Sequence, residues 1–251
     1  MAEQLTGKIV LVTGGAVRIG RAVAQALASA GAGVVVHARH STAAADALCA
    51  ELRTAGRCAW PVTGDLATPD GVAGVFRDAL AMAGRLDGVV NNAAIFARQP
   101  LFECNVQSFD DMWRVNARAP MLLTKMLAEH VAARESGARA PVAGVVNLLD
   151  QRIAHPVSGC LPYLVSKQAL AAFTQSAAHE LAPRLTVNGV APGATLMPVA
   201  PEGREPAGAM PLGTRCTPEQ IAAAVVFLLA NPAITGQIVF VDGGQHLVSD
   251  R

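Results

Sequence analysis

Seven short apolar runs recur along the chain, and their spacing constrains the fold more than any other feature. They are KIVLVTG (8–14), GVVVHAR (33–39), CAWPVTGD (58–65), LDGVVNN (86–92), VAGVVNLLD (142–150), LTVNGVAPG (185–193) and GQIVFVDGG (236–244). Each is apolar throughout and does not alternate, as suits a strand covered by helices on both faces. Ala-rich stretches of helical period, such as RAVAQALASAG, PDGVAGVFRDALAMAG and PEQIAAAVVFLLAN, stand between them with Gly or Asn at their ends. Repeated strand–helix units predict an α/β fold, a single doubly wound, Rossmann-like sheet of seven parallel strands with helices on both faces. No linker, repeat or low-complexity segment divides the 251 residues, so one domain over 1–251 is expected. The Pro- and Gly-rich stretch at about 194–214 is expected to form a substrate loop.

Composition narrows the partners. A formal net charge of +1 with scattered basic residues gives no electrostatic footprint for nucleic acid or an acidic membrane. The longest apolar run, IAAAVVFLLA (221–230), is too short to span a bilayer. The N-terminal MAEQLTGKIVLVTGG lacks a basic region followed by a long apolar stretch, so no secretory signal is visible. Five widely spaced cysteines without zinc spacing indicate reduced thiols and no metal site. These readings predict a cytoplasmic protein that acts on a small molecule, with no nucleic-acid or membrane partner.

Directly after the first strand run comes TGGAVRIG (13–20), opening a helix. A Gly-rich turn that feeds a helix N-terminus can hold a pyrophosphate, because free N–H groups and the helix dipole both point at it. Gly14 and Gly15 are expected to let the backbone approach the phosphates, and Gly20 to let the helix pack on the strand. The second strand ends VVVHARHS, offering His37, Arg39, His40 and Ser41 where NAD-binding folds place an acid. A cationic Arg39 with donors at His40 and Ser41 suits the 2′-phosphate of NADP, so NADPH is the expected cofactor.

Tyr163 and Lys167 stand at i and i+4 in YLVSK, and a helix over 162–182 puts them on one face. The chain has one Tyr and three Lys, so this spacing is a poor candidate for coincidence. A nearby ammonium favours phenolate, lowering a tyrosine pKa from about 10 toward the working range. Asp150, thirteen positions earlier, is harder to place. An ionised carboxylate repels developing oxyanion charge, which is poor for ordinary ketone reduction. Reduction of a heterocycle needs a proton at a ring nitrogen as hydride reaches the adjacent carbon. A carboxyl group that orients Tyr163 and helps pass it a proton fits that task.

Over essentially its whole length the sequence resembles the short-chain dehydrogenase/reductase superfamily. The resemblance rests on TGGAVRIG, GDL with Asp65 and Leu66, NNAA at 91–94, Asn116 in RVNARAP, YLVSK, VAPG and ITGQIVFVDGG. It implies cofactor contacts at Gly14, Arg18, Ile19, Gly20, Asp65, Leu66, Asn91, Ala93, Tyr163, Lys167, Pro192, Gly193 and Thr195. It also implies catalytic roles for Asn116, Tyr163 and Lys167. Three departures resemble the pteridine reductases and bacterial dihydromonapterin reductases: Arg18 in the glycine turn, Phe96 after NNAAI, and Asp150 in place of Ser. That likeness implies that Arg18 lies between pyrophosphate and pterin and that Phe96 covers a pterin face, with Asp150 and Tyr163 also touching substrate. Ala38 departs from members that carry a larger residue there.

The expected function is NADPH-dependent reduction of a dihydropterin to a tetrahydropterin. A general ketone or enone reductase and a non-catalytic NADP-binding sensor stand as alternatives. The superfamily resemblance further implies a homotetramer built on the helices around 100–130 and 158–182 and on the C-terminal strand.

Overall fold

The computed structural model describes residues 4–134, 143–195 and 210–248. Strands β1 (Ile9–Val12), β2 (Gly33–Ala38), β3 (Ala59–Thr63), β4 (Gly88–Asn91), β5 (Ala143–Leu148), β6 (Leu185–Pro192) and β7 (Ile238–Val241) form one parallel sheet. Their order is β3-β2-β1-β4-β5-β6-β7, so the direction of winding reverses between β1 and β4. All seven predicted runs form strands. Most strands stop short of the run's end, because Gly14, Arg39, Gly64 and Asn92 already belong to the turns that carry the site.

Alternate residues of the strands point to opposite faces. Val10, Val12, Val34 and Val36 pack beneath α1 (Arg18–Ser29), α2 (Thr42–Thr54) and α7 (Pro218–Ala230). Leu11, Val35, Val89, Val145 and Val187 face α3 (Pro69–Ala83), α5 (Ala119–Arg134) and α6 (Leu161–Glu180). Burying one such Val or Leu contributes about 1.5–3 kcal/mol, so the unbroken apolar runs are explained by two cores sharing one sheet.

Helix starts differ in a way that matters for function. Thr68 caps α3, and capping boxes of Asn105 with Ser108 and Thr217 with Gln220 open α4 (Val106–Trp113) and α7. Helix α1 has no side-chain cap and no acid in its first turn. Its free N–H groups are left for another acceptor. Between α4 and α5 the chain makes a π-helical turn, Arg114–Arg118, of a kind often found at functional sites. That turn buries Asn116 completely. Of the expected 194–214 loop, residues 196–209 lie outside the described residues.

Candidate active site

The winding reversal between β1 and β4 opens a crevice at the carboxyl ends of the strands, where doubly wound sheets bind their ligands. A cavity of about 360 Å³ occupies it, lined among others by Gly14, Arg18, Ile19, Arg39, Asp65 and Ala93. Gly20 and Leu66 also line it.

The floor of this cavity is the glycine turn. Gly14 has φ +60, open to glycine at little cost, and a Cβ at Gly20 would lie 2.0 Å from the carbonyl oxygen of Gly14. Thr13 Oγ1 accepts from the amides of Asn92 (2.9 Å) and Ala93 (3.0 Å), clipping the turn to the loop after β4. Asn92 Nδ2 donates to the carbonyls of Thr13 (2.8 Å) and Gly14 (3.0 Å). His37 is buried and donates or accepts at both ring nitrogens, taking the Gly14 N–H on Nδ1 (3.2 Å) and facing the Gly64 carbonyl from Nε2 (3.1 Å). Those partners fix the Nε2–H tautomer, and burial lowers the His37 pKa, keeping the ring neutral.

Two expectations for this end change. Gly15 does not line the cavity; its amide donates to the His37 carbonyl, and it is buried against Val12. His37 lines the cavity, but both ring nitrogens are spent inside the protein, so the ring has no hydrogen bond left for a ligand. Arg39, His40 and Ser41 do stand exposed past β2, and Ser41 spends no side-chain bond on capping α2. Arg39 pairs with Asp65 Oδ2 at 2.9 Å, and both side chains remain substantially exposed. An open glycine turn, an uncapped helix and a surface guanidinium together fit a phosphorylated dinucleotide.

At the other end of the crevice, Tyr163 lies in the first turn of α6 and Asp150 just past β5. Tyr163 Oη donates to Asp150 Oδ2 at 2.9 Å. Asp150 Oδ1 accepts the backbone N–H of Arg152 at 2.9 Å. Lys167 is buried and donates to the Leu148 carbonyl at 2.7 Å, with Nζ 5.9 Å from the centre of the Tyr163 ring. Phe96, half exposed, meets the Tyr163 ring edge-to-face at 4.9 Å. Asn116 exchanges hydrogen bonds with the backbone of Ile95, both 2.9 Å, and donates to Ser166 Oγ at 3.2 Å. It thereby ties the Phe96 loop to α6.

The electrostatics reverse one expectation. Burial, then the charge and hydrogen bond of Asp150, raise the Tyr163 pKa well above 10, and Lys167 does not bring it down. Burial instead lowers Lys167 from 10.5 to about 8, against the opposing pull of Asp150. The phenol therefore holds its proton, as a donor must. The remaining expected contact residues lie nearby. Asn91 is buried, donates to Asn147 Oδ1 (2.8 Å) inside the sheet, and is not part of the cavity lining. Gly193 and Pro192 close β6, while Thr195 Oγ1 donates to the Gly193 carbonyl (2.9 Å) and meets Cys216 Sγ (3.1 Å).

A family model described as Enoyl-(Acyl carrier protein) reductase matches residues 14–246. The 3-oxoacyl-[acyl-carrier-protein] reductase of Synechocystis sp. is 34% identical over 96% of this chain and 97% of its own. The chain belongs to the short-chain dehydrogenase/reductase superfamily. It is a nicotinamide-dinucleotide-dependent oxidoreductase of that superfamily. It is also similar to pteridine reductase 1 of Leishmania tarentolae, at 32% identity over 98% of this chain and 99% of the relative. Among solved structures, FolM Alternative dihydrofolate reductase 1 from Brucella canis, complexed with NADP, superposes with a TM-score of 0.88. That structure is 31% identical and covers 99% of this chain and 98% of its own.

Sequence reasoning passed over Thr13, Asn92, Ser166 and Arg152. The first two sit inside the quoted TGG and NNAA motifs, so their contribution was within reach of the pattern. Arg152 carries no such signal.

Proposed function

We propose that the protein is an NADPH-dependent reductase of pterin-type substrates that converts dihydropterins to tetrahydropterins. The observation that carries this reading is the 2.9 Å hydrogen bond from Tyr163 to Asp150 beside the half-exposed ring of Phe96. When bound, NADPH supplies a hydride to the substrate carbon. Tyr163 supplies the proton: its O–H bond breaks, an N–H bond forms on the ring nitrogen, and the oxygen keeps the electron pair. Asp150 aims the phenol and offers an acceptor to the amino-pyrimidine edge of a pterin. Phe96 gives a flat apolar face for the bicyclic ring. Arg18 would lie between the pyrophosphate and the pterin, and Lys167 would hold the nicotinamide ribose. Arg39 selects the 2′-phosphate, with His40 and Ser41 as further donors; the NADP held by the Brucella relative supports this choice.

A second reading, ketone reduction with Asp150 as a tolerated variant, is favoured by the likeness to a 3-oxoacyl reductase. Loss of NADPH absorbance with dihydrobiopterin, dihydrofolate and a panel of ketones separates the two. Turnover of the dihydropterins is expected. Consumption with ketones alone refutes the pterin reading, and none with any substrate favours a non-catalytic NADP-binding protein.

We further propose one domain over the whole chain, a cytoplasmic location and a homotetramer. The last is supported by exposed apolar side chains around α4 and α6, among them Leu101, Phe102, Val106, Trp113 and Val165. A groove between α5 and α6 is lined by Met121, Leu122 and Phe173 as well.

A further inference from the structure

Arg152 lies two residues past Asp150, in the 3-10 turn Gln151–Ile153. Its Nη1 is 3.5 Å from Asp150 Oδ2, the same oxygen that takes the hydrogen bond of Tyr163. Its guanidinium carbon stands 5.7 Å over the centre of the Phe96 ring, and Phe96 in turn meets Tyr163 edge-on. Arg152, Asp150, Tyr163 and Phe96 therefore close a ring of four side chains. The side chains of Arg152 and Asp150 are 13% and 17% exposed, so their charges are poorly screened by solvent.

This ring bears on a chemical difficulty in the site. As Tyr163 gives up its proton, negative charge grows on an oxygen already bonded to a carboxylate. Two adjacent anions oppose that step unless a cation balances them. Lys167 reaches the ring of Tyr163 from one side, at 5.9 Å from its centre. Arg152 touches the carboxylate itself. We propose that Arg152 is a positioning residue of the reaction, balancing Asp150 as Tyr163 donates its proton and holding Phe96 against the tyrosine.

The inference rests on Tyr163 acting as the proton donor, and not on which substrate accepts the proton. The charged or titratable groups that face Tyr163 are Asp150 and Arg152 from the turn after β5, and Cys160 and Lys167 from the start of α6. Phe96, Met112, Ile95 and Val157 pack around it without charge. The guanidinium pulls the Tyr163 pKa down, against burial, the carboxylate and Cys160, which raise it. Removing it makes the phenol a weaker acid. A cation over an aromatic face also orients that ring, so the same substitution loosens the platform.

The test compares Arg152→Gln and Arg152→Lys, each in the native background and with Asp150→Asn. Steady-state rates are read across pH with NADPH and whichever dihydropterin or ketone is turned over. NADPH affinity and thermal melting are measured in parallel. In the native background Arg152→Gln is expected to lower kcat about 10-fold or more and to move the basic limb of the pH profile upward. Arg152→Lys is expected to restore the limb but to leave substrate KM raised, since an ammonium lacks the planar stacking surface. With Asp150→Asn, the Arg152→Gln loss is expected to shrink to about twofold, with NADPH affinity unchanged throughout. An equal loss in both backgrounds, an unmoved limb, or a loss traced to NADPH affinity overturns the proposal. If ketones alone are turned over, the pterin reading fails while the same cycle on the ketone still decides the role of Arg152. If no substrate is turned over, the near-ultraviolet phenolate band decides it, because the chain has a single tyrosine. That band must then appear at higher pH in Arg152→Gln than in the native protein, and an identical titration overturns the proposal.

Discussion

Arg18 is the one non-glycine residue with positive φ among the described residues, at +54, where the superfamily pattern has glycine. An L-residue in the left-handed region costs about 1–2 kcal/mol, because its Cβ crowds the following carbonyl. Glycine removes that cost but loses about 0.5–1 kcal/mol in added freedom of the unfolded chain. The net prediction is that Arg18→Gly stabilises the cofactor-free protein by about 0.5–1 kcal/mol. For a chain of 251 residues this is a rise in Tm of about 1–4 °C. Arg18→Ala keeps the strained backbone and loses only the guanidinium, so it isolates the two effects and should leave Tm nearly unchanged. Both variants lose a charge-assisted contact to phosphate, about 1.5–3 kcal/mol, so NADPH affinity should fall about 10- to 100-fold in each. Dihydropterin KM should rise in each as well. Thermal melting of the cofactor-free variants, fluorescence titration with NADPH and initial rates supply the three readings. A glycine variant no more stable than the alanine variant refutes the strain argument. Unchanged affinity and KM in both refute a ligand role for the guanidinium, leaving the strain unexplained by function.

Three other predictions follow from the same geometry. Arg39→Ala should weaken NADPH about 10-fold or more and leave NADH within about twofold, since only the former carries the 2′-phosphate; parallel losses for both, by fluorescence titration, contradict the selectivity role. Lys167 has a folded pKa of about 8 against 10.5 for a free lysine, so its buried ammonium destabilises the cofactor-free protein fully below pH 8. The penalty disappears as pH rises from 8 to 10.5, worth on the order of 3 kcal/mol. Urea titrations should show this rise, and Lys167→Met should flatten it; parallel profiles for the two proteins refute it. Phe102 is fully exposed in this chain, so Phe102→Asp should reduce the assembled mass by light scattering if the α4 face joins subunits, while an unchanged tetramer excludes Phe102 from the contact.

The strands were legible because burial on both faces leaves a plain mark, an apolar run such as GVVVHA with no alternation. The glycine turn was legible because its residues are contiguous and obey a backbone requirement. What the sequence hides is the direction of side chains. Asn91 and His37 stand beside expected cofactor residues in the chain, yet their polar atoms bond within the protein, Asn91 to Asn147 and His37 to Gly14 and Gly64. Sequence shows which residues stand near the turn, but not which partners their side chains take up. The π-helical turn that buries Asn116 is likewise invisible, because RVNAR has no composition distinct from an α-helix. The Tyr163 pKa was misjudged for a related reason. Helical spacing puts Lys167 one turn from Tyr163, but its amine is bound to Leu148 while Asp150 takes the phenol.

The consequence for chemistry lies in the direction of proton flow. A phenol held well above its ordinary range by burial and a carboxylate keeps its proton near neutrality. Such a group is ready to donate and poorly suited to abstract. Oxidation of an alcohol asks the tyrosine to be a base, and at neutral pH Asp150 opposes that state. Reduction asks it to give a proton and then carry charge briefly, and here the cations matter, with Arg152 at Asp150 and Lys167 beneath the ring. On the proposed reading, a carboxylate with its own cation thus suits the site to reduction. On the same reading it also suits a ring nitrogen, which is basic enough to take the proton as the hydride arrives, better than the weakly basic oxygen of a carbonyl. Serine at this position imposes no such bias. The substrate preference proposed for this protein therefore depends on the Asp150–Arg152 pair as a unit, and neither residue alone accounts for it.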